Sequence, residues 1–77
     1  GGAFSASAQS TTGEMIEGRF AGESGGLMRV KVPGNFGTEG KKVVIDGEPV
    51  PFELQGNTFV FPVSISRRDG YRTYQIR

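Results

Sequence analysis

The sequence predicts an all-β fold: a small β-sandwich or partly open β-barrel of about six short antiparallel strands. Three observations lead there. Apolar and polar residues alternate in short runs, which suits strands with one buried face. Thirteen glycines and four prolines punctuate 77 residues, so turns recur often. Valine, phenylalanine and isoleucine supply most of the apolar content, and no stretch repeats its apolar residues at a helical period.

Residues 1–13, GGAFSASAQSTTG, are small and uncharged. They lack the apolar surface that would offset ordering, so they read as a flexible arm or linker preceding a single domain over 14–77. The loose alternation of AFSASA leaves a donor strand as the less favoured alternative. The chain opens Gly-Gly and reaches its first methionine at position 15. The expectation is therefore a processed product or one domain of a larger protein.

From residue 14 the strands follow in order. EMIEGRFA sets Ile16, Gly18 and Phe20 against Glu17 and Arg19, and LMRVKV sets Met28, Val30 and Val32 against Arg29 and Lys31. With GESGG between them, the two runs predict a first hairpin. PGNFGTEGK is a long loop, with Phe36 at its centre as either a lid on the core or an exposed contact. Asp46-Gly47 signals a type I′ turn pairing Ile45 with Glu48. Gly56-Asn57, glycine first, signals a type II′ turn pairing Leu54 with Phe59 and Glu53 with Val60. Phe52, Leu54, Phe59 and Phe61 then share one face, assigned to the core. RRDG at 67–70 is a further turn, feeding the last strand YRTYQIR.

Prolines carry the topological information. Extending the Gly56-Asn57 ladder would set Pro51 against Pro62 in a hydrogen-bonded position, where neither has a donor. Pro49, by contrast, falls opposite Val44 in a non-hydrogen-bonded position and costs that ladder nothing. The run 48–55 is therefore expected to pair first with 42–45, bend near Pro51, and pair afterwards with 58–61. Strands that bend and change partners make the corners of small barrels and orthogonal sandwiches.

The candidate chemistry is sparse. GESGG (22–26) fits G-x-S-x-G and resembles the glycine-flanked nucleophile of trypsin-like proteases, but the chain has no histidine to act as base. Cysteine is absent too, so zinc and haem lose their usual ligands and no disulfide forms. The eight carboxylates are scattered, and no calcium loop, P-loop or dinucleotide fingerprint occurs. No cofactor or metal is expected. A net charge of +1 is no nucleic-acid footprint, and no apolar run is long enough to span a membrane.

Cations and aromatics interleave in one place: Arg67, Arg68, Tyr71, Arg72, Tyr74 and Arg77, which with Phe36 form the candidate binding set. Such residues can hold phosphates and stack bases on a small barrel. A charged edge strand that resists aggregation explains the same residues and is the favoured account. The functional expectation is a non-catalytic module of a larger extracellular or cell-envelope protein, acting in structure, assembly or adhesion through a protein partner or neighbouring domains. The alternative is a nucleic-acid-binding small barrel using the Arg/Tyr cluster.

Overall fold

The computed structural model describes residues 3–11 and 15–77, with side chains from residue 15 onward apart from 23 and 24. The strands are β1 (Ala3–Thr11), β2 (Ile16–Lys31), β3 (Val43–Ile45), β4 (Glu48–Val50), β5 (Glu53–Gln55), β6 (Thr58–Ile65) and β7 (Tyr71–Ile76). A 3-10 turn over Arg67–Asp69 separates the last two. Every pairing is antiparallel. The result is two sheets that share β2 and do not close into a barrel.

β2 overturns the expected first hairpin. It is a continuous strand of 16 residues, and GESGG lies inside it. Before the glycines β2 pairs with β7, from Ile16↔Ile76 to Ala21↔Tyr71. After them it pairs with β6, from Ser24↔Ile65 to Lys31↔Thr58. Gly22 takes φ 130°, a conformation closed to most side chains. The glycines thus let one strand change partners, which sequence alone cannot distinguish from a turn.

The second corner follows the expected course. β4 pairs with β3 through Val43↔Val50, Val44↔Pro49 and Ile45↔Glu48. β5 pairs with β6 through Glu53↔Val60, Leu54↔Phe59 and Gln55↔Thr58. Pro51 and Phe52 join them at the bend and belong to neither ladder. Asp46 (φ 49°) and Gly47 (φ 86°) both have the left-handed conformation a type I′ turn requires. Val32 N–H donates to the Asn57 carbonyl at 2.8 Å. Alternation from that bond puts Leu27↔Pro62 in a non-hydrogen-bonded position, so Pro62 sits inside β6 without breaking its ladder with β2.

The first strand also departs from expectation. Ala3–Thr11, read from sequence as an arm, pairs with β2 from Ala3↔Glu23 to Thr11↔Ile16, with a bulge between Ser7 and Gln9. Backbone pairing asks little of side chains, and β2 presents an edge there. The predicted boundary at 13/14 lies outside the described residues.

The core fills the space between the sheets. Ile16, Phe20, Met28, Val30, Val32, Val43, Ile45, Phe59, Phe61, Val63, Ile65, Tyr74 and Ile76 form one buried cluster, with Val50 and Phe52 packed against it. Phe36 belongs to this cluster, and Lys41 Nζ lies 4.3 Å from its ring centre. It is the lid, not an exposed contact. Leu54 corrects the predicted core. It points inward by register but stays 44% exposed, because three-residue β5 ends a sheet and has no strand beyond it. Gly18 faces Tyr74 across β2 and β7, and a Cβ there would overlap the tyrosine ring. Only glycine fits at that approach.

Candidate functional site

The two sheets turn contrasting outer faces to solvent. On the sheet containing β7, the polar groups satisfy one another. Gln75 Nε2 donates to Glu17 Oε2 at 2.7 Å, and the Arg19 guanidinium lies 4.6 Å from the Tyr71 ring centre. Both contacts follow from register, since Glu17↔Gln75 is a direct pair and Arg19 is diagonal to Tyr71.

Where the sheets approach each other beside β6, Arg72 forms a strap. Its Nε donates to Asp46 Oδ2 at 2.7 Å and its Nη1 to the Ser64 carbonyl at 2.7 Å. Thr73 N–H donates to Asp46 Oδ1 at 3.1 Å. The Arg72 hydrogen bond, aided by the Thr73 amide, holds the Asp46 carboxyl below its ordinary range despite an opposing effect of desolvation. Asp46 is therefore an ionised turn residue, not a proton donor. A polar cleft of about 480 Å³ adjoins it, lined by Asp46, Ser64, Ile65, Ser66, Asp69 and Arg72. Its second carboxylate is also engaged: Asp69 Oδ2 accepts from Ser66 N–H at 2.8 Å and from Ser66 Oγ at 3.2 Å.

The outer face of the β2–β6–β5 sheet is different. Leu27, Arg29 and Lys31 of β2, Val60 and Pro62 of β6, and Glu53 of β5 share it by register. Leu27 is 55% exposed. It borders an open groove of about 410 Å³ whose other walls are Pro51, Phe52, Glu53, Val60 and Pro62. Val60 forms the floor, buried yet outside the core cluster. Arg29 stands across from it on one side and Glu53 on the other. Neither charge has an ion-pair partner among the described residues.

The sequence-predicted set is dispersed rather than assembled. Arg67 and Arg68 sit on the exposed 3-10 turn. Tyr71 is exposed beneath Arg19, whereas Arg72 is held in the strap. Tyr74 is a core residue 5.8 Å from Phe61 between ring centres, and burial pushes its hydroxyl pKa up. Arg77 lies at the far end of β7, its backbone paired with Lys42. Among the described residues, no group of His, Cys, Asp and Glu gathers that could hold a metal ion, and no helix is long and apolar enough to cross a membrane. The groove residues escaped the sequence reading because its walls come from three strands and a bend. The one sequence signal was Val60, an apolar residue on the polar face of its strand.

No protein family, curated protein or solved structure matches the chain.

Proposed function

We propose that the chain is a non-catalytic β module of a larger protein, serving in structure, assembly or adhesion by presenting the outer face of its β2–β6–β5 sheet to a protein partner. One observation carries this reading: an exposed leucine beside an apolar groove, flanked by one positive and one negative side chain that lack ion-pair partners among the described residues. Such a combination is what a protein interface offers, an apolar centre with a charged rim. The Asp46, Asp69 and Glu17 carboxylates and Arg72 support it by contrast, because they are engaged in turn and sheet contacts. An extracellular or cell-envelope parent is the setting this reading favours, given the uncharged, Ser/Thr-rich composition of residues 1–13.

The competing nucleic-acid reading supplies the test. Titration of a fluorescent single-stranded oligonucleotide at physiological salt should show negligible binding, and neutralising Arg67, Arg68, Arg72 and Arg77 together should be silent in that titration. Micromolar binding that weakens with salt would overturn the module reading. A drop of about 0.7 in the log–log salt slope per arginine removed would then identify phosphate contacts.

A further inference from the structure

We infer that the partner of this face is a second copy of the chain, docked face to face about a two-fold axis running parallel to β6 above Val60. The inference rests on the reading that this face is the working surface, and goes further by naming the occupant and the geometry. Across β6 the order of side chains is Arg29, Val60, Glu53, one from each strand. Neighbouring strands lie about 4.8 Å apart, so the two charges flank Val60 at equal offsets on opposite sides. A two-fold axis along β6 exchanges those sides. It brings Arg29 of one copy over Glu53 of the other, twice per dimer. A two-fold axis across the strands would stack Arg29 on Arg29 and Glu53 on Glu53, so charge selects the axis.

The same operation places the apolar groups. Leu27 is the register partner of Pro62, two residues along β2 from Arg29. Rotation about β6 carries it above the β5 side at the level of Pro62, where the chain bends through Pro51 and Phe52. That position is the groove of about 410 Å³ walled by Pro51, Phe52, Val60 and Pro62. Each copy thus offers one exposed apolar knob and one apolar recess, related by the axis that satisfies the charges. An isologous interface needs this self-complementarity. β6 itself resists strand-to-strand joining on its side away from β2: Pro62 offers no donor, and the Ser64 carbonyl already accepts from Arg72. Association by the face rather than the edge follows.

Sedimentation equilibrium of the intact chain tests the geometry. The wild type is expected to show a reversible monomer–dimer equilibrium. Leu27→Glu should weaken it at least about tenfold while melting at the wild-type temperature at concentrations where both are monomeric. Arg29→Glu and Glu53→Arg should each be monomeric alone, since each sets like charges against one another. Mixed in equal amounts they should form a heterodimer, because one copy then carries two carboxylates and the other two guanidinium groups. A wild type that stays monomeric up to about millimolar concentration, a dimer indifferent to Leu27→Glu, or single variants that do not recover on mixing would each overturn the inference. These failures are separable from failure of the module reading, which the oligonucleotide titration judges.

Discussion

The outer faces of the two sheets are built from the same kinds of residue and end in different states. Around β7, Glu17 meets Gln75 and Arg19 covers Tyr71, so these side chains find their complements within the chain. Around β6, Arg29 and Glu53 stand on either side of a buried valine with no ion-pair partner among the described residues, beside an exposed leucine and a groove. The difference lies in register. Direct and diagonal neighbours interact across strands, whereas residues two strands apart do not reach one another. Charge on a sheet becomes internal or external according to whether the complement falls one strand away or two.

The largest effect should come from beneath both faces. Phe61 is fully buried and touches Tyr74, tying the β6 layer to the β7 layer. Phe61→Ala should therefore cost about 3–5 kcal/mol in chemical denaturation. A loss below about 1 kcal/mol would show that the faces do not share this core.

A smaller effect should come from the strap between the sheets. Asp46→Asn keeps a side chain that tolerates the left-handed turn position but discharges the partner of Arg72. At neutral pH it should cost up to about 1 kcal/mol, since the pair is largely exposed. The sign of its pH dependence follows from the lowered pKa. The folded protein binds the Asp46 proton more weakly than the unfolded chain does. The carboxylate's contribution is thus complete above the ordinary value of 3.8 and is lost as pH falls through the lower folded value. Melting curves of wild type and variant should converge as pH drops below that range. A gap that stayed constant or widened in acid would refute the assignment.

The smallest effects sharpen the comparison itself. Tyr71→Ser removes an exposed cation–π partner and should cost about 0.5–1 kcal/mol in the monomer. Leu27→Ser removes a side chain with no internal role and should leave monomer stability within about 0.5 kcal/mol. Thermal melts at low concentration would decide it. The reverse ranking would mean that Leu27 serves the fold and the β7 face does not.

Much of this was legible where a residue's local chemistry has one outcome. Asp46-Gly47 and Gly56-Asn57 specify their turns, and with them the pairings of β3 with β4 and β5 with β6. Prolines 51 and 62 lack donors whatever surrounds them, so the bend at Pro51 could be placed from sequence. Alternation assigned the inward residues of β2 correctly. The candidate site was less legible, because adjacency in sequence is not adjacency in space. Arg72, Tyr74 and Arg77 read as one cluster, yet they serve a strap, a core and a strand end.

What the sequence by itself determined about this protein is its local grammar: an all-β chain, where it turns, where it cannot hydrogen-bond, and which side of most strands is apolar. Only the tertiary structure decided that the glycine-rich stretch 22–26 carries a strand onward rather than reversing it, because glycine permits both and the available partners, β7 then β6, select one. It also decided that Ala3–Thr11 pairs, since an open strand edge can recruit a segment whose side chains carry no signal. And it placed Leu27, Val60 and Pro51 around one groove, because that proximity exists only once three strands are in register.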